Sequence, residues 1–557
     1  MLNDLRLTRR RFLQASAVAA ASLWLPSCSP SPRTASRTVR IAGNTFGFPS
    51  PFAYIAGPGY EQMSFIYDTL LWKDGNGQLL PWLANRYERS RDGLTYTFFV
   101  RPGISWHDGR PVTAEDVAFT FEYFARQPLG PLLVAQPFGV AEARAVDPGV
   151  VEIHLELPAV TFIEQVAGAV PIIPQHIWSS IEDGPRAQEL EVLVGSGPYR
   201  VESFSRGEGA VAYAANPDYF LGPPFVRRLE LRPVDDELIA LRAGEIDAAT
   251  APVEGVLPDV LEPFREDDAF GIVEDTGSFT FPLIWNAGRG GALGDARFRR
   301  ACTLAIDRAD IVRRMLGGNG WPGNPGFLSP DHPFHLVVEQ YAADEDAANR
   351  LLDEAGYRAP APGEIRVDGD GQPLSFEILT GNAPVPAVLP LLVDALRRIG
   401  VDLLPLSVDL PTLFGRLQGH DDELALGLYP GPGGTAPNAD PNMLQTFFSS
   451  KVEGRLQGAQ GWTDEEFDRL AQEQLVTADQ SERSEMIARM QEILARDVPA
   501  LPLYYPTLFT VFRTDVFDRW YHTPGGFAGG LPGVNNKHVL VTGLRTGLGG
   551  RGDAGDR

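Results

Sequence analysis

The stretch Asp92–Val117, DGLTYTFFVRPGISWHDGRPVTAEDV, constrains the fold of this chain more than any other. Leu94, Tyr96, Phe98 and Val100 alternate with Thr95, Thr97 and Phe99, the period-2 pattern of a strand with one buried face. Pro102, Gly103, Asp108 and Gly109 supply turns, because proline presets φ and glycine accepts positive φ. Thr113 is placed to cap a helix whose first turn carries Glu115 and Asp116, where the helix dipole favours negative charge. Ala114, Val117, Phe121 and Phe124 then recur at helical spacing. The segment therefore reads strand, turn, strand, turn, helix.

At 557 residues the chain exceeds one ordinary core, and two or three domains are expected. A composition 44% hydrophobic and 22% charged leaves ample apolar material for large cores. The formal charge is −24, with three lysines beside forty-five arginines. So acidic a chain is repelled by a phosphate backbone, and no basic cluster with interleaved aromatics occurs beyond the N-terminus. Nucleic acid is excluded as a partner. Two cysteines, Cys28 and Cys302, are too few for a disulfide framework or a cysteine zinc site.

The first residues read as an address. Thr8–Gln14 (TRRRFLQ) closely matches the twin-arginine export motif, with Arg9 and Arg10 as its pair. The apolar run Ala15–Leu25 has eleven residues, short of the ~20 that a spanning helix needs. Leu25–Cys28 (LPSC) then resembles a lipobox, which makes Cys28 the expected lipidation site, although Pro26 departs from the residue type usual there. Ser29–Arg37, rich in Ser, Pro, Arg and Thr, reads as a tether.

Chemistry-bearing motifs are absent. Neither G-x-S-x-G, Walker A nor H-E-x-x-H occurs, so no catalytic residue is assigned and no cofactor is expected. Asp368–Gly371 (DGDG) begins like a calcium loop, but Pro373 and Leu379 stand where the turn glycine and bidentate Glu belong, so it reads as a hairpin turn. His332 and His335 flank Pro333, which spoils a helical pair, and no metal site is assigned. Gly195–Tyr199 (GSGPY) superficially suggests a phosphate loop. Pro198 and a following strand, in place of a helix N-terminus, argue against it. Cys302 falls on the apolar face of a helix and reads as a small core residue.

Taken whole, the Asp92–Val117 string resembles the central signature of the peptide/nickel class (family 5) of extracellular solute-binding proteins, the binding components of ABC importers. GSGPY at Gly195–Tyr199, NPDYF at Asn216–Phe220, LIALRAGEID at Leu238–Asp247, DARFRRACTLAIDR at Asp295–Arg308 and AANRLLDEAGY at Ala347–Tyr357 extend the resemblance over about Val39 to Phe512. It implies an α/β fold of the periplasmic binding protein type II kind, two lobes with a hinge plus an extra small domain. The implied boundaries are a signal over 1–28, a tether over 29–38 and domain I over 39–69, 191–283 and 505–543. Domain II then covers 70–190, domain III 284–504, and a disordered tail 544–557.

The resemblance implies a monomeric, non-enzymatic protein, held by its lipid on the periplasmic or outer face of the cell membrane. It would capture a small-molecule or peptide ligand in an interdomain cleft and deliver it to ABC permease subunits. Candidate ligand contacts are Tyr54, Tyr60 and Glu61 in the first loop, Phe281 and Trp285 at the hinge crossing, and Tyr429, Asn438 and Asp440 in a later loop. Peptide-binding members place an aspartate about three residues before the Asp-Pro of that loop, where it pairs the ligand's α-amine. Thr435–Asn438 offers no carboxylate here, so Asp440 or Glu61 would have to substitute. Two alternatives stay open at this level: an exported cofactor enzyme or hydrolase using the twin-arginine route, and a periplasmic sensor that presents its ligand to a receptor.

Local patterning makes further expectations. Met63–Leu71 reads as a helix, Trp462–Val476 and Arg483–Asp497 as two more, and His176 as a packing residue.

Overall fold

The alternation at Thr95–Val100 becomes an inner strand of a four-stranded antiparallel sheet in the computed structural model of the protein. The structure describes residues 38–548 apart from 44–46, 53–56, 128, 130–138, 251–255, 362, 382–387, 428, 431–439, 453–460 and 527–533. Tyr96, Phe98 and Val100 are buried while Thr95, Thr97 and Phe99 are half-buried. The sheet runs Ala84–Arg89, Thr95–Val100, Val150–Leu155, Val140–Asp147 in spatial order. The helix Ala114–Arg126 packs against its last strand.

The rest of the signature works as a clamp. The Asp116 carboxylate accepts from the Thr113 amide (3.0 Å), the Trp106 indole (3.3 Å) and, on its other oxygen, the Gln175 amide (2.9 Å). His107 grips the GSGPY loop. Its Nδ1 accepts from the Gly195 amide (3.2 Å), its Nε2–H donates to the Gly197 carbonyl (3.0 Å), and its own amide donates to the Gly195 carbonyl (2.8 Å). That pattern requires a neutral ring, and burial lowers the His107 pKa to about 4.

A second sheet gathers distant parts of the chain. Its order is Phe270–Thr276, Tyr504–Arg513, Ala248–Thr250, Thr38–Ala42, Arg228–Arg232, Val211–Ala215, Tyr199–Phe204, with Gly320–Pro322 added beside Tyr504–Arg513. Thr38–Ala42 lies parallel to both of its neighbours, and the other pairings are antiparallel. The helix Glu237–Ala243 connects the two parallel neighbours, capped by the Asp236 side chain on the Ile239 amide (2.9 Å) and ended by Gly244 in the left-handed region. A third sheet, Asp402–Val408, Ser375–Gly381, Leu424–Leu426, Pro282–Trp285, Ala500–Pro502, holds a parallel pair joined by the helix Val388–Arg398.

The cores divide this material into two lobes. One apolar cluster, from Val39 to Val541, joins the first two sheets, and a smaller one with Ala249, Phe509 and Val511 also lies on the second, whereas Leu283, Phe298, Cys302, Ile378 and Leu403 belong to a separate core on the third sheet. Phe279–Pro282 and Leu503–Tyr504 carry the chain between the lobes side by side. There the Leu503 amide donates to the Phe281 carbonyl (3.0 Å) and the Thr280 hydroxyl to the Tyr504 carbonyl (2.9 Å).

Several local expectations change in three dimensions. The helix expected over Met63–Leu71 instead spans Gly57–Ser64, and Leu71–Lys73 is a strand paired with Leu79–Pro81. Met63, Ile66, Tyr67 and Leu70 are all buried, because the segment is covered on both sides and apolar spacing alone cannot register a helix there. The later pair of helices spans Glu465–Val476 and Gln480–Asp497, each starting after an aspartate cap, Asp464 and Asp479. Residues 544–548 of the expected tail are held in place: the Gly75 amide donates to the Arg545 carbonyl (2.8 Å), and the Gly547 amide donates to Asp74 (3.3 Å).

Cys302 is buried, and desolvation pushes its thiol far above the ordinary range. The Asp368 carboxylate accepts from the Asp370 and Gln372 amides, both at 2.9 Å, which makes a tight turn with Gly371 at φ 80°. His176 is half-buried, with its Nε2 2.8 Å from the Asp108 carboxylate. Among the described residues no group of three or more His, Cys, Asp or Glu is placed to hold a metal ion, and no helix is long and apolar enough to cross a membrane.

Candidate ligand-binding site at the lobe junction

The lobes touch along a polar seam away from the crossings. The Val160 amide donates to the Leu475 carbonyl at 2.9 Å. The Asn442 side-chain amide donates to Gln165 Oε1 (3.3 Å), and its oxygen accepts from Gln474 (3.1 Å). Arg483 donates to Gln474 Oε1 (2.8 Å) and forms a two-point ion pair with Asp440 at 2.9 and 3.1 Å. Asp440 also accepts from the Asn442 amide (2.8 Å), so Asp440-Pro441 starts a turn whose carboxylate is already neutralised.

Facing this group from the other lobe is Glu164, in the single wide turn Ile163–Ala167. Its carboxylate is bonded to the Lys73 ammonium, which also donates to the Gly526 carbonyl (3.1 Å). Burial raises the Glu164 carboxyl above its usual range even though Lys73 pulls it down, and the fields of Asp440 and Arg483 reach it across the seam. Two charge pairs, Lys73–Glu164 and Arg483–Asp440, therefore meet where the lobes meet.

The chain continues from Lys73 to the first loop. The Asn536 side chain donates from Nδ2 to the Lys73 carbonyl (3.0 Å), and the adjacent Asn535 donates from Nδ2 to Glu61 Oε2 (2.8 Å). Glu61 is half-buried with no ion-pair partner among the described residues, and desolvation raises its carboxyl to about 7. Tyr60, one position earlier, is wholly buried with its hydroxyl on the Ala169 carbonyl (2.8 Å).

The expected site residues are thus distributed unevenly. Glu61 and Asp440 lie on this polar chain, with Tyr60 anchoring the helix that presents Glu61. Phe281 sits at the crossing, stacked on Tyr504 with ring centroids 5.2 Å apart. Tyr429 is in a two-residue strand whose backbone pairs with Thr280. Trp285 stands apart: it is wholly buried in the third-sheet core, edge-on to Phe298 at 6.1 Å, because all four residues of Pro282–Trp285 are covered on both faces. Tyr54, Asn438, Cys28, Arg9 and Arg10 lie outside the described residues. The sequence reading passed over Lys73, Glu164, Gln165, Asn442, Arg483 and Asn535. Lys73 carried a usable signal, as one of only three lysines in an arginine-rich chain.

Two α/β lobes with separate cores, joined by adjacent crossings and opposed across a polar seam, define the class of hinged binding proteins. The chain belongs to the bacterial extracellular solute-binding proteins, family 5, whose middle-region profile matches residues 78–454. This is a family of binding proteins, not enzymes. The chain is 31% identical to Protein XP55 of Streptomyces lividans over 59% of each chain. It is 27% identical to a putative ABC transporter peptide-binding protein of Brucella ovis, over 78% of this chain and 82% of that one. Among solved structures, NikA from Brucella suis in complex with Fe(III)-EDTA superposes with a TM-score of 0.74 at 22% identity, covering 89% of this chain and 98% of that one.

Proposed function

We propose that the protein captures a peptide-like or other mid-sized solute between its lobes and delivers it to the permease subunits of an ABC importer. It does so as a monomer, exported by its Arg9-Arg10 signal and held at the membrane through lipid on Cys28. The lobes correspond to domains I and II (39–69, 191–283 and 505–543, with 70–190) and domain III (284–504). The observation that carries this reading is the seam itself. Contacts such as Gln165–Asn442 and Val160–Leu475 bridge two separately cored bodies and can form only when the hinge is shut. A solute touching both lobes shifts the population toward that shut form. The Brucella ovis relative supports a peptide, and the NikA complex keeps a metal chelate in view.

A thermal-shift screen of peptides, amino sugars and metal chelates tests capture. At one hundred times Kd a cognate solute adds ~2.7 kcal/mol, and a complete absence of stabilisation by every class removes the reading's main support. Cys28→Ala is expected to move the protein from the membrane fraction to the soluble extracytoplasmic fraction. Retention in the membrane would argue against the anchor.

The seam makes a separate prediction. Gln165→Ala combined with Asn442→Ala removes the one hydrogen bond these side chains make across the seam, about 1 kcal/mol, so the open form gains roughly fivefold in population. Small-angle scattering of the unliganded double variant should give a larger radius of gyration than the wild type, with a cooperative melting transition retained. Identical scattering curves with and without a stabilising solute would contradict a hinged device.

A further inference from the structure

We propose that residues 544–548, which follow the helix Lys537–Thr542, act as a brace that sets how readily the lobes close. They fix the hairpin that carries Lys73, and through it the Lys73–Glu164 pair at the seam. The inference rests on the hinged reading and adds a part of the chain, outside the two crossings, that governs the motion.

The stretch Leu544–Leu548 (LRTGL) shows no helical or strand periodicity, yet it is bonded to the hairpin turn at two points. Asp74 serves both sides of that contact. Its Oδ1 accepts from the Asn76 (2.9 Å) and Gln78 (3.1 Å) amides and so folds the turn between Leu71–Lys73 and Leu79–Pro81, while its Oδ2 accepts from the Gly547 amide (3.3 Å). At the tip, the Gly75 amide donates to the Arg545 carbonyl (2.8 Å). The approach requires glycine: a Cβ on Gly75 would stand 2.7 Å from that carbonyl oxygen and 2.9 Å from the Tyr521 ring. From behind, His538 donates from Nε2 to the Gly547 carbonyl (2.7 Å), and its Nδ1 accepts from the Tyr521 hydroxyl (3.0 Å). Asn536, the cap of the helix Lys537–Thr542, accepts from the Trp72 indole (2.6 Å) and donates to the Lys73 carbonyl (3.0 Å). One C-terminal segment therefore holds the hairpin at both its turn and its first strand.

The hairpin in turn supports the part of the seam that bridges the lobes. Lys73 is bonded to Glu164, in the wide turn Ile163–Ala167. Leu79, on the second strand, lies where that turn ends, 3.4 Å from the place a Cβ on Gly168 would occupy. The same turn presents Gln165 to Asn442, and three residues before it the Val160 amide donates to the Leu475 carbonyl of the other lobe. Wide turns of this kind recur at functional positions. Displacing the hairpin shifts the counter-charge of a buried carboxylate between these two bridging bonds, which closure cannot ignore.

The Val160 amide is a built-in probe, because the carbonyl that protects it belongs to the opposite lobe and its hydrogen exchange reports the open population. Exchange is followed by mass spectrometry on overlapping peptides of the unliganded protein. Two variants remove the brace differently: a chain ending at Gly543, and Gly75→Ala, which keeps every residue but forces the segment away. In both, exchange at position 75 should rise about tenfold and at Val160 about threefold, while peptides covering Ser375–Gly381 of the third sheet change by less than roughly 1.5-fold. In a Glu164→Gln background the route is already cut, so shortening the chain should alter Val160 by less than roughly 1.5-fold.

Faster exchange at position 75 with Val160 unchanged means that the segment holds the hairpin alone, and the brace is overturned. No change at either position overturns the docking itself. An equal rise in the third sheet marks general loosening and also overturns it, and an undiminished effect in Glu164→Gln overturns the route through Lys73. The hinged reading is judged separately on the wild type. Val160 protected but insensitive to both variants leaves that reading standing, whereas a Val160 amide unprotected with and without a stabilising solute defeats the reading and the brace together.

Discussion

Replacing Lys537 by methionine should lower the free energy of unfolding by about 3–5 kcal/mol, the usual result of stranding one member of a buried ion pair. Lys537 and Asp68 are both wholly buried and lie 2.7 Å apart. Asp68 is the hub: its Oδ1 also accepts from the Trp82 indole (2.7 Å) and the Tyr219 hydroxyl (3.0 Å), and its Oδ2 from Ser196 (3.2 Å). These four partners come from four separate stretches, so the pair closes the junction between the four-stranded sheet and the eight-stranded one. The Lys537 ammonium also lies 4.2 Å above the Trp72 ring, an attraction that Met cannot replace. Urea denaturation of wild type, Lys537→Met and the double variant Asp68→Asn/Lys537→Met decides the matter. The double variant should recover part of the loss, because no bare carboxylate is left inside. If Lys537→Met costs under 1 kcal/mol, the pair is not the keystone described here.

Alanine at position 195 should be worse still. A Cβ on Gly195 would stand 1.8 Å from the Ile66 carbonyl oxygen and 2.6 Å from its carbon. Both are backbone atoms, already committed by the Gly197 amide donating to that carbonyl at 2.8 Å, so no side chain can swing aside. Overpacking that flexible neighbours relieve costs about 1–3 kcal/mol. Against backbone the cost should exceed ~4 kcal/mol, with His107 losing its grip on the loop as well. The expected result is little or no soluble protein, or a melting transition far below that of wild type. A Gly195→Ala protein with a near-native melting temperature would show that the loop can move away from Ile66. The glycines of GSGPY are thus explained by the approach of two chain segments, and no phosphate is needed.

Legibility in the sequence followed the range of the forces involved. Alternation at Thr95–Val100, the Thr113 start of the helix Ala114–Arg126, the Asp368 turn and the burial of Cys302 all depend on residues a few positions apart, and the string shows them. The Met63–Leu71 helix was misplaced because apolar spacing marks what is buried and does not tell a helix from an extended segment covered on both sides. Trp285 looked like a cleft aromatic because it follows the crossing, yet the third sheet closes over it. Glu61 and Asp440 were both plausible amine acceptors on paper. Only the fold shows that Arg483, forty-three positions on, neutralises Asp440.

By itself, then, the order of residues determined the local elements, the family to which they add up and the absence of a recognisable catalytic motif. Tertiary structure alone decided which charges are paired. Glu61 meets Asn535 across 474 positions and Lys73 meets Glu164 across 91. Such pairings reflect Coulomb energy and desolvation in a shared interior, and that interior exists only after the sheets have assembled.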